Sequence, residues 1–453
     1  MSTVSNPSAF SVGGKHFSPG IDRRLAPFVV LAAVIFNFIL CFIDTNVFTI
    51  NASVVISCEI VLIATAFSLI CYREIFLYEI FLVLAAYFFT VMLVRFDFDP
   101  KILRDLLIPF VFFRMGCYLG SVRWCDRLVT SLIVLTLGAA LFEWFALDTY
   151  LHYFNVMQYY LARGTEINDA YTANGLFIRG TDTAAGLFIN GTRFEQRALL
   201  PFLGAHRVSG IFLEPVSVGN FGAIACAWLL LRYRTGVWPL VAKLLAIATV
   251  LVLADARLGV YLSIFTLAIY LAAPLIRPTM LLFAPFLMMV ALVMYSGVNW
   301  QILSDNTIAG RLLGGGESLS SLNLWQILGL QVSKAFSGRF VGDDSGYGYL
   351  LVKVGLLGLA AMWALFVYTP PLDKDALRFK NFIAIYAVVL LTISASLFTV
   401  KTAALLWFLY GTLNNQNRAD PNEPSDSAPL RDRPVPEHGL RNSAPLKLSR
   451  DTL

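Results

Sequence analysis

The chain has 453 residues, of which 58% are hydrophobic and only 14% are charged. A soluble domain is about 45–50% apolar and about 25% charged, so a soluble chain of this length would lack charge for its surface. The net charge of +5 comes from basic residues scattered between apolar segments, which is typical of membrane topology and not of a nucleic-acid-binding patch. The composition predicts an all-α, polytopic integral membrane protein, because the continuous apolar stretches disfavour a transmembrane β-barrel.

About twelve apolar stretches approach the roughly 20 residues that a transmembrane helix needs. In chain order they predict helices over residues 25–43, 52–71, 77–95, 103–120, 127–147, 208–231, 238–254, 258–276, 278–296, 347–368, 381–397 and 400–413. The last helix is short enough to be half of a broken hairpin. These helices form one membrane domain over 25–413, between a polar N-terminal tail over 1–24 and a tail over 414–453 whose composition predicts disorder.

The distribution of basic residues predicts the topology. Twelve spans place both termini on one side, and more Lys and Arg fall on that side than on the other. The positive-inside rule then predicts cytoplasmic termini. Two long loops, over 148–207 and 297–346, would face outward. The first loop repeats a Gly-Leu-Phe-Ile-x-Gly-Thr pattern at 175–181 and 186–192, which predicts a small hairpin unless the repetition is chance.

No metal site is predicted. The chain has six cysteines and four histidines, no CxxC or HExxH motif, and histidines that are far apart in the sequence.

Functional hypotheses begin with charges at the edges of apolar spans, because each costs about 2.5–3.5 kcal/mol to insert. The strongest cluster is Arg207-Val-Ser-Gly-Ile-Phe-Leu-Glu214-Pro215. We expect Arg207 at the outer mouth of a helix and Glu214 two turns deeper on the same face, with Pro215 loosening the helix. A guanidinium binds phosphate in a bidentate fashion. The alternatives are lipid headgroups for Arg207 and helix pairing for Glu214.

The tight turn Asp255-Ala-Arg257-Leu-Gly259 places a second arginine on the same outer side. Arg257 either joins a binding site or reaches the headgroups beside its own counter-ion, Asp255. The second long loop adds Arg311, followed by a glycine triplet at 314–316 that does not match a P-loop. Ordinary loop solvation is the alternative for Arg311.

The second loop ends in Gly-Asp343-Asp344-Ser-Gly-Tyr347, where the next helix is predicted to begin. Asp343 and Asp344 are candidate general bases for a sugar hydroxyl, although Asp344 would equally serve as a helix cap. Tyr347 and Lys353, nearly two turns further along, are candidate neighbours of the site. The other charges within spans are interpreted as helix-pairing groups; they are Glu59, Glu79, Arg114 and Lys243.

Taken together, these motifs resemble the Wzy family of bacterial O-antigen and exopolysaccharide polymerases, within the O-antigen ligase/polymerase superfamily. The resemblance covers about residues 205–360 and rests on the Arg207-x-Ser-Gly-x-Phe-x-Glu-Pro motif, the Arg257-Leu-Gly turn and the long loop with Arg311. The closing Gly-Asp-Asp-Ser-Gly-Tyr and the glycine-rich helix Val354-Gly-Leu-Leu-Gly358 complete it. Relatives often have Ser-Arg where this chain has the Arg257 turn.

The resemblance implies a glycosyltransferase at the periplasmic face of the bacterial inner membrane. It would transfer a growing glycan from undecaprenyl diphosphate to the next lipid-linked repeat unit, in exopolysaccharide biosynthesis, without a cofactor or metal. Arg207 and Arg311, and more weakly Arg257, would bind the diphosphate, and Asp344, Asp343 or Glu214 would act as the base. Membrane lipids, a chain-length co-polymerase and a flippase are the implied partners.

Three other functions stay open. The ligases of the superfamily usually place a histidine in the last large loop, and this chain has none in 297–346, which favours a polymerase. A transporter or a flippase of lipid-linked oligosaccharide would share the dozen spans, but such proteins usually show an internal repeat, and none is visible here. A non-catalytic assembly subunit would tolerate alanine at all the arginines.

Overall fold

The computed structural model describes residues 19–70, 76–96, 100–162, 186–187, 191, 199–232, 236–299, 308–331 and 345–415. These residues are helical with connecting turns, and no strand occurs among them. The predicted all-α class is therefore confirmed. The first 18 residues of the N-terminal tail, the repeated pattern of the first loop and residues 416–453 lie almost wholly outside the described residues.

Sixteen α-helices fall within the described ranges. They are α1 (Pro19–Asn46), α2 (Ala52–Ile70), α3 (Phe76–Arg95), α4 (Pro100–Leu119), α5 (Val122–Phe145), α6 (Leu147–Tyr153), α7 (Val156–Ala162), α8 (Pro215–Leu231), α9 (Val237–Leu253), α10 (Arg257–Ala272), α11 (Pro278–Val298), α12 (Ile308–Ser320), α13 (Leu324–Ile327), α14 (Gly346–Tyr368), α15 (Lys374–Leu390) and α16 (Val400–Leu413). Short 3₁₀ turns occur at Pro201–Leu203, Gly210–Phe212 and Ser396–Phe398.

Five of these helices are long and apolar enough to cross a membrane: α1 from Arg24, α2, α5, α11 and α14. Helices α8, α9, α10 and α16 are equally apolar but have only 14 to 17 residues. Large apolar side chains point away from the bundle, with Ile60 55%, Phe265 59% and Leu287 66% exposed. An apolar exterior of this extent fits lipid and not water. Twelve complete spans stay a prediction.

Helix α16 lies at the centre of the bundle and is buried along almost its whole length. Glycines allow it to approach α4 closely: a Cβ atom built on Gly411 would lie 1.9 Å from the carbonyl oxygen of Phe113, and one on Gly116 would lie 2.8 Å from the Cα of Gly411. Small residues that bring two backbones together are the usual means of helix association in membranes. The α4–α16 contact is therefore fixed by residues with no side chain.

Helix α15 begins and ends seven residues earlier than the sequence predicts. The helix predicted over 381–397 is α15, which begins at Lys374 because Asp373 caps it, its carboxylate accepting the backbone N–H of Ala376 at 2.7 Å. The helix predicted from hydropathy did not include this first turn, because the turn is charged. Lys380 is accommodated there because its Nζ donates to the carbonyls of Val367 and Thr369, at 2.6 and 2.7 Å.

Both long loops contain helices. Helices α6 and α7 lie in the first, and α12 and α13 in the second. The glycine triplet is part of α12 and forms its packing surface: a Cβ on Gly316 would lie 2.2 Å from the carbonyl oxygen of Leu292 in α11, and one on Gly315 would lie 2.9 Å from that of Thr392. The triplet therefore positions α12 beside the chain that follows α15.

Helix α14 is kinked at Gly355, whose φ of 76° is readily adopted only by glycine. The kink frees carbonyl groups of the preceding turn, and two side chains of α3 satisfy them. The guanidinium of Arg95 donates to the carbonyls of Val352 and Lys353, at 3.1 and 3.4 Å. The hydroxyl of Tyr87 donates to the carbonyl of Val354 at 3.1 Å. Such repair of freed backbone groups is what makes a broken helix tolerable in a membrane.

Candidate functional site

The segment from Arg207 to Glu214 is not α-helical, contrary to the prediction of a helix over 208–231. It forms a 3₁₀ turn at Gly210–Phe212, and Leu213 then adopts a left-handed conformation with φ of 62°. Arg207 and Glu214 are therefore not two helical turns apart on one face. Pro215 is the first residue of α8, where its missing N–H would have no helical partner in any case, so it starts the helix and does not loosen it.

Glu214 is the centre of a polar network at this end of the bundle. Its Oε1 accepts the hydroxyl of Tyr160 at 2.6 Å. Its Oε2 accepts the hydroxyl of Ser217 at 2.8 Å and the ammonium of Lys401 at 2.6 Å. Lys401 also donates to the carbonyl oxygen of Phe212 at 3.3 Å. Side chains from α7, α8 and α16 thus meet on one carboxylate, although Glu214 and Lys401 are 187 residues apart.

The two charges differ in accessibility: the side chain of Lys401 is 6% exposed and that of Glu214 is 25% exposed. Burial favours the neutral carboxyl, but the adjacent Lys401 and the hydroxyls of Tyr160 and Ser217 outweigh it, and the pKa of Glu214 is lowered. Glu214 is therefore an ionised, partly accessible hydrogen-bond acceptor at neutral pH. A hydroxyl-bearing ligand that approaches this end of the bundle meets its carboxylate before it meets the ammonium.

Arg207 is buried, and its guanidinium faces the turn between α9 and α10. Its Nε donates to the carbonyl oxygen of Ala254 at 3.0 Å, and one terminal nitrogen reaches that of Asp255 at 3.5 Å. The backbone of the same segment adds a bond from the N–H of Val208 to the carbonyl oxygen of Leu253 at 3.2 Å. Arg207 therefore joins the segment before α8 to the second predicted motif.

The turn between α9 and α10 holds the predicted pair of opposite charges. Asp255 is fully buried with φ of 46°, and its Oδ1 accepts the backbone N–H of Leu199 at 2.9 Å. Its Oδ2 lies 3.7 Å from the Nε of Arg257, whose side chain is 19% exposed. The structure thus brings Arg207, Asp255 and Arg257 together. Asp255 is thus a local counter-ion of Arg257, and a role of Arg257 in a binding site stays a prediction.

Sequence reasoning missed a carboxylate and a histidine beside this segment. Glu143, in the last turn of α5 and 1% exposed, accepts the backbone N–H groups of Ser209 and Gly210 at 2.8 and 2.7 Å. Its other oxygen lies 3.4 Å from the Nε2 of His206. A charge inside the apolar stretch 127–147 was the available signal, because a buried carboxylate needs donors. Here it holds the 3₁₀ turn that leads to Glu214.

The remaining sequence candidates are associated with α12 and α14. Asp343 and Asp344 lie outside the described residues. The cap of α14 is Ser345, whose hydroxyl accepts the N–H of Gly348 at 3.3 Å. Arg311 is half-buried in α12, one turn before Gly315, whose Cβ would lie 3.7 Å from the Oγ of Ser345. Gly315, one helical turn after Arg311, thus lies close to the start of α14.

Tyr347 is fully buried and donates its hydroxyl to the carbonyl oxygen of Val388 at 3.0 Å, so it joins α14 to α15. Lys353 is half-buried, and its carbonyl accepts Arg95 at the kink of α14.

The segment between α15 and α16, which is not α-helical, connects the two halves of the site. At one end it contacts α12 and α14, since the carbonyl oxygen of Ser394 would lie 2.5 Å from a Cβ on Gly346. In its middle, Ser396 accepts the side-chain amide of Asn220 in α8 at 2.9 Å. At the other end it leads into Lys401. In the sequence, only the shortness of the last helix indicated a break at this point. Lys401 follows this break, in the first turn of α16.

A large apolar groove of about 760 Å³ runs between α3, α4, α14, α15 and α16. Leu103, Leu350, Leu397 and Phe398 line it near the Glu214 end of the bundle, and Tyr118, Pro370 and Asn414 line it at the other end. Along α4, from Leu103 to Tyr118, it extends about 22 Å at 1.5 Å per residue. The groove therefore begins three residues from Lys401 and follows most of the bundle's height.

Among the described residues, no group of three or more His, Cys, Asp or Glu side chains is arranged to hold a metal ion. Comparison of the chain with protein-family models, with curated proteins and with solved structures finds no match.

Proposed function

We propose that this protein is a membrane-embedded polysaccharide polymerase, which transfers a growing glycan from undecaprenyl diphosphate to the next lipid-linked repeat unit at the periplasmic face of the inner membrane. The sequence resemblance at residues 205–360 supports this choice of family. One structural observation supports the choice of a lipid-linked substrate: the apolar groove that reaches Phe398, three residues before Lys401.

The length of the groove favours a polyisoprenoid over a phospholipid tail. The hydrocarbon core of a bilayer is about 30 Å thick, so one leaflet provides about 15 Å. A groove of about 22 Å along α4 is longer than one leaflet and suits a chain that crosses the midplane. A polyisoprenoid of eleven units is such a chain, whereas a phospholipid tail ends within its own leaflet. A donor held there would have its diphosphate near the Glu214 end.

The polar groups at that end suit the transfer. The acceptor hydroxyl oxygen would attack the anomeric carbon, the bond from that carbon to the diphosphate oxygen would break, and the hydroxyl proton would pass to a carboxylate. Lys401 and the arginines would stabilise the charge that develops on the leaving diphosphate. Glu214 is ionised and partly accessible, which suits it to accept the acceptor hydroxyl, and Asp343 and Asp344 are the other candidate bases.

The first test is the pool of lipid-linked glycans after deletion of the gene, analysed by mass spectrometry and sorted by membrane side. Single repeat units on the outer leaflet without polymer are expected. Units trapped on the cytoplasmic leaflet would indicate a flippase, and long polymer on the carrier would indicate a ligase. An unchanged pool would refute a role in this pathway.

The second test uses purified protein in liposomes with lipid-linked repeat units. We expect Arg311→Ala to abolish polymer, since a phosphate contact is lost, and Arg311→Lys to fail as well if the contact is bidentate. Arg378→Ala is the matched control, because the Arg378 side chain is 41% exposed at the opposite end of the bundle and pairs with Asp375 at 3.5 Å. Wild-type polymer from Arg311→Ala would refute the diphosphate role of that residue.

A further inference from the structure

A second cavity lies at the opposite end of the bundle, far along the helices from Glu214. It encloses about 570 Å³ between α1, α5 and α9. One wall is apolar and belongs to α1, with Pro27, Phe28 and Leu31. The other walls carry three basic side chains, Arg123 and Arg127 from the first turns of α5 and Lys243 from α9. None of these residues takes part in the proposed transfer.

Asp126 is the one carboxylate among the described residues that line this cavity, and it is already engaged. Asp126 accepts the indole N–H of Trp228 at 2.8 Å, and its other oxygen lies 3.3 Å from the Nε of Arg232. Its charge is therefore balanced by an arginine that does not line the cavity. Asp126 therefore does not neutralise Arg123, Arg127 and Lys243, and the cavity has a positive potential that attracts an anion.

Of the three basic residues, Lys243 has the most unusual position, because it lies within an apolar helix. It lies six residues into α9, about 9 Å from the start of the helix, with apolar residues on both sides in the sequence. It is half-buried, and no hydrogen bond or ion pair joins it to another residue that the structure describes. An ammonium in an apolar helix is normally paired or carries a function. Here the cavity is the space into which a partner would fit.

The apolar wall distinguishes a lipid from a soluble anion. Phe28 is 58% exposed beside the cavity, and Leu31 continues the wall one turn deeper. Arg127 lies over the ring of Trp124 at 4.9 Å, an arrangement of aromatic and basic groups that suits the headgroup region of a bilayer. A free phosphate would contact only the cations, whereas a phospholipid would cover the cations with its headgroup and the α1 wall with an acyl chain.

We propose that this cavity binds one anionic phospholipid, its phosphate between Arg123, Arg127 and Lys243 and an acyl chain against Pro27, Phe28 and Leu31. Basic pockets between helices on the cytoplasmic side are typical sites for anionic headgroups, and the positive-inside prediction assigns this end to the cytoplasm. The site is independent of the proposed transferase activity.

The experiment is native mass spectrometry of the delipidated protein titrated with phosphatidylglycerol, cardiolipin or phosphatidylcholine. Wild-type protein is expected to retain one anionic lipid and no phosphatidylcholine. Lys243→Gln and Arg127→Gln should each weaken retention about fivefold, the equivalent of about 1 kcal/mol per basic residue at an anionic surface. Arg277→Gln is the control, because Arg277 is exposed at the same end of the bundle and does not line the cavity.

Equal retention of phosphatidylcholine, or equal losses in Arg277→Gln and Lys243→Gln, would overturn the proposal. Saturation of the same site by inorganic phosphate at the affinity of phosphatidylglycerol would also overturn it, because the apolar wall would then contribute nothing. Lys243→Arg keeps the charge and should restore binding, which separates a lost contact from a damaged fold. Thermal unfolding of each variant in neutral detergent without lipid should match that of the wild type.

Discussion

Replacement of Lys401 by methionine tests the network at Glu214 most directly. The ammonium lies 2.6 Å from the carboxylate and is 6% exposed, so Lys401→Met leaves Glu214 without its counter-charge. Removing one partner of a buried pair costs about 3–5 kcal/mol. The side chain of Glu214 is 25% exposed, and it keeps its hydrogen bonds to Tyr160 and Ser217. We therefore expect the free energy of unfolding to fall by about 2–3 kcal/mol, at or just below the lower end of that range.

A double-mutant cycle separates this pairing from lost packing. Glu214→Gln alone should cost about 1–2 kcal/mol, since Lys401 keeps a carbonyl acceptor. The variant with both changes should lose at least 1 kcal/mol less than the sum, because neither charge is then left unpaired. The assay is reversible unfolding in mixed micelles, followed by tryptophan fluorescence. Arg378→Met, at an exposed pair of 3.5 Å, should cost less than about 0.5 kcal/mol. Strict additivity of the Lys401 and Glu214 effects would refute the reasoning.

Two further predictions follow from the same structure. The pKa of Glu214 is lowered in the folded protein, so its contribution is complete above the unfolded pKa of about 4.3 and is lost as the pH falls through the folded pKa. The stability difference between wild type and Glu214→Gln should thus be constant from pH 7 to about pH 5 and shrink below about pH 4; a difference that vanishes already near pH 6 would contradict this. Gly411→Val should abolish folded protein in detergent extracts, because even a Cβ there would lie 1.9 Å from the carbonyl oxygen of Phe113. Gly138→Ala, with no atom within 4 Å of the added Cβ, should leave the yield unchanged in size-exclusion chromatography.

The helices were largely predictable from the sequence, because a continuous apolar run has few alternatives in a membrane. The start of α8 was not predictable in this way, because hydropathy does not detect the turn at Leu213. Pro215 was expected to loosen a helix, whereas it begins one. The start of α15 was missed for a related reason: its first turn is charged and is stabilised by a cap and by backbone carbonyls, which an average over apolar residues does not register.

The candidate site was predictable in part. Glu214 and Arg207 were found because each is a charge at the edge of an apolar run. Their partners were not found, since Tyr160 and Lys401 are 54 and 187 residues away from Glu214 and contact it only once the helices have packed. Lys401 offered a signal of its own, a charge at the start of an otherwise apolar helix. The sequence did not indicate that Lys401 would pair with Glu214.

The distance along the chain between Glu214 and Lys401 also sets an order of events during synthesis. A ribosome adds about 5–20 residues per second, so the 187 residues that separate the two take roughly 10–40 s. During that interval Glu214 is made and its lysine does not yet exist. Helix α16, which carries the lysine, is also the buried partner of α4. The nascent bundle must therefore stay open along α4 until the last helix arrives, and a chain that ends before residue 400 would expose both an unpaired carboxylate and a vacant glycine surface to the quality-control proteases of the membrane.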